Sequence, residues 1–281
     1  MIDLHTHSTV SDGSDTPERV VELAAAAGCR AVALTDHDRT DGLDVAARRA
    51  AELGIEFIGG CELSCETPTG AMHLLVYFGD RRNDQFEAEL VRLQSIRAER
   101  NLRMAERLRA IGLPVTLEEL QAVAGGNGIG RPHAAAVLLH KGLVDSIQDA
   151  FDRYLARGRP GYVEKERLTP ERAISLACGS GAVPVLAHPL SLELPPVALD
   201  EVVGRLSSTG LAGIEAVYSR YSPAERDGLC DLAIKHGLFV TGGSDYHGTY
   251  KPDLAVGVGR GDLHVPDDAA ASLRASIAGR R

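Results

Sequence analysis

The 281-residue sequence is 44% apolar and 25% charged, carries a formal net charge of −9, and contains ten histidines and no tryptophan. Its length suits one large domain or a domain with an insertion, and its apolar content can fill a sizeable core. The acidic balance and scarce aromatics exclude a passive protein that coats nucleic acid or stacks on its bases, and with no apolar run of about 18 residues no membrane span is expected.

Nearly continuous apolar runs predict strands at Ile2–His5, Ala31–Thr35, Glu56–Glu62 and Met72–Phe78, the pattern of strands buried on both faces of a parallel sheet. Thr16-Pro17 opens a helix after the first strand and Gly28 closes it. From about residue 80 to residue 168 the pattern is helical only. One helix runs through Gln85–Ile111; Arg92, Arg97, Arg100, Arg103, Arg107 and Arg109 either steer anions or, the favoured reading, form its solvated face, with Leu93, Ile96, Leu108 and Ile111 on its buried side. Thr116-Leu117-Glu118-Glu119 caps the next helix, and Gly125-Gly126-Asn127-Gly128 reads as a flexible turn. Strands resume at Val183–Ala187, Gly213–Val217 and Phe239–Gly243, with helices opened by Thr169-Pro170 and by the capping box Ser222-Pro223-Ala224-Glu225, which Gly237 ends. A last helix starts near Pro266. Seven strands alternating with helices predict an α/β fold, a parallel barrel formed by 1–79 and 169–281 with a small helical lobe inserted at 80–168. The five cysteines, Cys29, Cys61, Cys65, Cys178 and Cys230, form no CxxC pair and no leader-like segment opens the chain. Reduced thiols and a cytoplasmic location are therefore expected.

The chemistry gathers where strands end. The first ends in His5-Thr6-His7 with Asp12 close behind, the second in Asp36-His37-Asp38, the third at Glu62; the fourth carries His73. The fifth ends in His188-Pro189 and the seventh in Asp245-Tyr246-His247, whereas the sixth, ending near Tyr218-Ser219, offers no obvious ligand. In a parallel barrel these ends converge on one face, and side chains at i and i+2 of a strand point the same way. Taken singly, each histidine reads as a satisfied core or loop residue. As a set, buried without compensation, they would be very costly, and divalent cations are the natural compensation. Imidazole and carboxylate without thiolate suit Mn, Zn or Fe, and so many donors suit two or three ions. His140 and His236, near helix C-termini, and His264, in a polar loop, are assigned no function.

His5-x-His7, Asp12, Thr35-Asp36-His37, Glu62, His73, His188-Pro189 and Asp245-x-His247 together resemble the polymerase and histidinol phosphatase (PHP) family, from residue 2 to about residue 260. The resemblance implies a distorted seven-stranded (β/α) barrel and three cation sites, with Mn expected first and Zn or Fe as alternatives. His5, His7, Glu62 and Asp245 would hold the first ion, Glu62, His73 and His188 the second, and Asp12, His37 and His247 the third. Gly130-Arg131-Pro132-His133 and the segment from Tyr154 to Val163 are similar to bacterial enzymes that remove the 3′-phosphate from nucleoside 3′,5′-bisphosphates. Some relatives of that group trim short RNA from the 5′ end. In those enzymes the lobe closes over the site and grips phosphate, which implies that Arg131, His133 and Arg159 bind substrate. The expected nucleophile is a hydroxide held between two cations, attacking phosphorus in line with the leaving oxygen. Asp36 and Asp38 would orient a ligand histidine, protonate the leaving group, or cap their loop. The expected partner is a small phosphorylated substrate, a nucleotide or short RNA, with no membrane and no obligate protein partner. A histidinol-phosphate-type phosphatase and a non-catalytic metal-binding module are the alternatives.

Overall fold

In the computed structural model, residues 1–79, 84–124, 129–164 and 166–280 are described; the turn expected at 125–128 lies outside them. Seven strands form one sheet in chain order: β1 (Ile2–Asp3), β2 (Ala31–Leu34), β3 (Glu56–Cys65), β4 (Met72–Tyr77), β5 (Val183–Leu186), β6 (Gly213–Tyr218) and β7 (Phe239–Gly243). The last strand returns to the first. Leu4 N–H donates to the Gly242 carbonyl at 3.1 Å, and Thr6 pairs with Tyr246 in a parallel bridge, so the sheet closes on itself as a distorted barrel.

Around and above it, in chain order, lie α1 (Pro17–Ala26), α2 (Leu43–Leu53), α3 (Asp84–Ala110), α4 (Leu117–Ala124), α5 (Arg131–His140), α6 (Ile147–Ala150), α7 (Pro170–Gly179), α8 (Pro196–Ser208), α9 (Pro223–Lys235) and α10 (Asp267–Ala278). The sequence punctuation marks their starts. The Thr16, Thr169 and Ser222 hydroxyls accept from the N–H of Arg19, Arg172 and Glu225, each satisfying one of the otherwise unpaired donors of a first helical turn. Among the described residues, no helix is long and apolar enough to cross a membrane.

The strand directions correct the all-parallel expectation. β4 runs antiparallel to both β3 and β5. The cause is the connection: β3 ends at Cys65 and β4 begins at Met72, and a parallel crossover needs about a dozen residues or more, whereas a hairpin needs only a few. The reversal matters for the site. His73 is near the start of β4, yet that start lies at the rim where β2, β5 and β7 end.

The barrel interior is filled by Leu4, Ala33, Ile58, Leu75, Tyr77, Val183, Val185 and Val217, with Leu273 and Ile277 of α10 packed against them. A second apolar layer joins the sheet to the surrounding helices. The helices between β4 and β5 share their own cluster, including Met104, Leu108, Leu120 and Leu138. α3 belongs to both: Phe86, Leu90 and Leu93 pack into the barrel's outer layer, and Met104 and Leu108 into the lobe. Its middle therefore crosses above the site, and this corrects the reading of its arginines. Arg97 and Arg100 are buried, not solvated, while Ile111, just past the helix end, is exposed. A helix that bridges two bodies has two buried faces, and one of these is polar because it overlooks the strand ends.

Candidate metal centre

The rim is built from the ends of β1 and β7 inward. The fully buried Asp3 carboxylate accepts backbone N–H groups from His5 (3.3 Å), Ser244 (2.9 Å) and Gly257 (2.7 Å), locking the two strand ends and a later loop together. Burial pushes the Asp3 carboxyl above its ordinary range, although these donors oppose the shift. β7 passes so close to β1 that a Cβ on Gly243 would lie 2.4 Å from His5 Cβ and 2.6 Å from His5 N. Gly243→Ala should therefore destabilise the fold by about 1–3 kcal/mol through overpacking and displace His5. Urea unfolding and bound-metal stoichiometry should both fall; a variant normal in both would show that β1 can yield there. His188 and Asp245 occupy left-handed backbone, at φ 26° and 54°, a local cost of about 1–3 kcal/mol each that the surroundings must hold. Glu215 does so for His188 by accepting its N–H at 2.8 Å, and the His5 carbonyl does so for Asp245 at 2.8 Å.

His5, His7, Asp12, His37, Glu62, His73, His188, Asp245 and His247 meet at this rim. In the first group, His5 Nε2 lies 3.0 Å from His7 Nε2, 3.2 Å from Glu62 Oε2 and 3.6 Å from Asp245 Oδ1. His7 Nε2 lies 3.1 Å from Glu62 Oε2 and 3.4 Å from Asp245 Oδ1. His5, His7 and Asp245 thus present donors within 4.8 Å of one another, with Glu62 Oε2 against both imidazoles. In the second group, Glu62 Oε1 stands 2.8 Å from His73 Nδ1 and 2.9 Å from His188 Nε2, and the two nitrogens are 3.4 Å apart. In the third, Asp12 faces His247 Nε2 at 3.4 Å and His37 Nε2 at 3.8 Å. The groups are not insulated: the donors of His7, Asp12, His37 and His247 all fall within 4.8 Å of one another, and His37 Nδ1 is 3.3 Å from Glu62 Oε2.

The outer hydrogen bonds show what the inner nitrogens must be. The Ser191 hydroxyl donates to the Ala71 carbonyl at 2.8 Å, so it accepts from His188 Nδ1 at 2.9 Å. His247 Nδ1 faces the Asp245 carbonyl at 2.9 Å. Both rings therefore carry a proton on the outer nitrogen and, when neutral, turn an Nε2 lone pair towards a carboxylate. Acceptor then faces acceptor at 2.9 Å for His188 and 3.4 Å for His247, which requires a proton or a metal cation between them. Where only protons are available, burial works against the His7 imidazolium, yet Asp245 and Glu62 hold its pKa up at about 9. Burial has its way at His37, pushed down to about 3 against the pull of Glu62 and Asp12. Its buried Nδ1 has no hydrogen-bond partner. Burial raises the carboxyls of Glu62 and Asp12, but the imidazoles crowded around them hold both well below their ordinary value. Buried anions ringed by imidazoles with inward lone pairs are a donor set that fits divalent cations.

The remaining expected residues separate. Asp36 is buried, and its oxygens accept from Ser8 N–H (2.8 Å), the Ser8 hydroxyl (2.6 Å) and the Ser11 hydroxyl (2.5 Å). It organises the loop that carries His7 and Asp12. Asp38 is buried against Arg97 Nη2 at 2.6 Å. Neither lines the cavity of about 690 Å³ that opens from the ligands, a placement that favours positioning over proton delivery. Arg131 lines it, its guanidinium resting between Phe151 and Tyr162. His133 does not line it: the ring is fully buried and Nδ1 accepts the Gly130 N–H at 2.8 Å, capping its own helix. Arg159 is exposed and off the cavity, whereas Arg157, on the same loop, lines it. Sequence reasoning preferred a solvated face for Arg97 and Arg100 over anion steering, and missed Arg157 and Arg167 as cavity residues. It also missed Glu215 behind His5, and Tyr218 and Lys251 on Asp245 Oδ2.

Comparison with known proteins agrees with this geometry. Residues 3–164 match the model of the PHP domain. The chain is 33% identical to a 3′,5′-nucleoside bisphosphate phosphatase from Chromobacterium violaceum, over 88% of this chain and 87% of that one. It is 34% identical to the 5′-3′ exoribonuclease Rnm of Escherichia coli, over 87% and 84%. A Bifidobacterium adolescentis protein, described with its crystal structure as a metal-dependent phosphoesterase, superposes with a TM-score of 0.88 at 30% identity, covering 98% of this chain and 96% of that one. With its family match, its closed seven-stranded barrel and its rim of imidazoles and carboxylates, the chain belongs to the PHP domain family of metal-dependent phosphoesterases.

Proposed function

We propose that this phosphoesterase removes the 3′-phosphate of nucleoside 3′,5′-bisphosphates, and by the same geometry trims short RNA carrying a 5′-phosphate. The observation that carries this reading is a cluster of arginines beside the rim. Arg97, Arg100, Arg131, Arg157 and Arg167 line one cavity together with Asp12, His37, His73 and His247. Among the described residues, two of these cations have almost nothing to balance them. Buried Arg100 has an Nε without partner and an Nη1 that reaches only the Met104 sulfur; burial and the neighbouring Arg97, Arg131 and Arg167 push it down to about 9. Arg131, also pushed down by burial, finds only the Leu155 carbonyl at 3.4 Å. A buried and a half-buried guanidinium with no carboxylate beside them among the described residues call for an anion from outside. A substrate with one phosphate at the rim and another on this cluster meets that demand, and Phe151, Tyr162 and Tyr250 in the same cavity offer apolar surface to a base.

His5, His7, Glu62 and Asp245 would hold one ion, Glu62, His73 and His188 a second, and Asp12, His37 and His247 a third, with Mn as the first choice. Divalent cations there supply Lewis acidity to phosphoryl oxygens and lower the pKa of bound water to about 7. The chain's residues do the rest. The arginines bind and orient the anion, Asp38 fixes Arg97, and Asp36 fixes the His7 loop. With Mn present, kcat/KM for adenosine 3′,5′-bisphosphate should exceed that for adenosine 3′-phosphate and for histidinol phosphate by about tenfold or more, with di- to pentanucleotides cleaved as well. Faster turnover of histidinol phosphate would defeat this reading.

A further inference from the structure

Glu215 lies in the middle of β6, fully buried, and both of its oxygens are taken. Oε2 accepts the His188 backbone N–H at 2.8 Å, and Oε1 lies 2.9 Å from His5 Nδ1. A backbone N–H can only donate. An ionised carboxylate can only accept, so Oε1 requires the ring proton on His5 Nδ1. An imidazole with its single proton there presents a lone pair at Nε2, the atom 3.0 Å from His7 Nε2 and 3.2 Å from Glu62 Oε2.

We propose that Glu215 is the positioning residue that makes His5 a cation ligand: it accepts the hydrogen bond from Nδ1–H and so fixes the ring form whose Nε2 lone pair faces the cluster. Through its other oxygen it holds the left-handed turn that presents His188, so one carboxylate on the strand without a ligand serves two of the three groups. The proposal rests on the reading of the rim as a cation site and is independent of the substrate.

Glu215→Gln tests it with almost no change in shape. An amide has one acceptor and one donor end. With its oxygen on the His188 N–H, its NH2 meets His5 Nδ1, which must then accept, and the ring proton moves to Nε2, into the cluster. With the amide reversed, NH2 faces the backbone N–H, donor against donor in a buried place. Either way the site is spoiled while the apolar packing stays. Affinity for Mn or Zn, measured by competition with a chelating dye, should fall by about 10–100-fold, and the melting temperature of the chelator-treated protein should stay close to wild type. Unchanged metal affinity would overturn the proposal. So would a chelator-treated variant that melts early, which would mark Glu215 as a support of the fold alone. A second measurement needs no variant: in zinc-loaded wild-type protein, long-range 1H–15N correlations should place the His5 proton on Nδ1, and a proton on Nε2 would overturn the proposal. Substrate turnover enters neither readout, so failure of the nucleotide reading would leave both interpretable.

Discussion

Glu62→Gln should abolish phosphoester hydrolysis, with kcat/KM reduced by about 10³-fold or more, equivalent to about 4 kcal/mol of transition-state stabilisation. Glu62 divides its charge between two groups: Oε2 faces His5 and His7 at 3.2 and 3.1 Å, and Oε1 faces His73 and His188 at 2.8 and 2.9 Å. An amide can serve only one of them. Its other end turns N–H groups onto lone pairs that were arranged to meet a cation, so one group loses its anion and gains a competing donor. Elemental analysis of the variant should show at least one ion fewer than wild type. The same loss has a thermal signature. A ligand bound only by the folded state, present at about 100 times its Kd, contributes about 2.7 kcal/mol. Chelation should therefore lower the melting temperature of the wild-type protein markedly and that of E62Q much less. An E62Q protein that keeps its full complement of ions and its activity would remove Glu62 from the bridging position.

Much of this candidate centre was legible in the sequence because most of its donors follow strand ends, which are marked by short apolar runs that stop at a polar residue; Glu62 instead lies inside β3 and His73 at the start of β4. His5-x-His7 and Asp245-x-His247 place two donors on one side of an extended segment whatever the sheet does around them. The direction of β4 was legible too, but from loop length, since 66–71 is too short for a parallel crossover. Glu215 left a signal that was passed over: a charged residue inside Gly213–Tyr218, where every neighbour is buried, has to be paired. Arg97 and Arg100 could not be found from helical periodicity. That argument assumes one wet face, and α3 has a polar face turned to the cavity. Arg157 and Arg159 lie on the same loop and differ in direction, and loop direction is set by packing. His133, in the first turn of α5, accepts the Gly130 N–H at Nδ1, while its buried Nε2 finds no partner among the described residues.

Arg100→Met and Arg131→Ala should separate binding of the second phosphate from chemistry at the rim. Both guanidiniums lie in the cavity beside the ligands and neither contacts a ligand carboxylate, so metal content should be unchanged. Charge-assisted hydrogen bonds to an anion contribute about 1.5–3 kcal/mol each. KM for a nucleoside 3′,5′-bisphosphate should therefore rise by about 10–100-fold in either variant, while kcat/KM for the 3′-monophosphate, which has nothing to place on the cluster, should move little. The two substitutions should combine less than additively, because both cations act on one phosphate. Arg100→Met carries a second expectation of opposite sign. Burial, with like charges around it, depresses the pKa of the wild-type guanidinium to about 9, so an apolar side chain of similar length should raise the melting temperature even as affinity falls. This is the balance expected of a cation kept in place for a ligand. Equal losses on the bisphosphate and the monophosphate would mean that these arginines serve the rim phosphate, and the second phosphate would then have no site in this cavity.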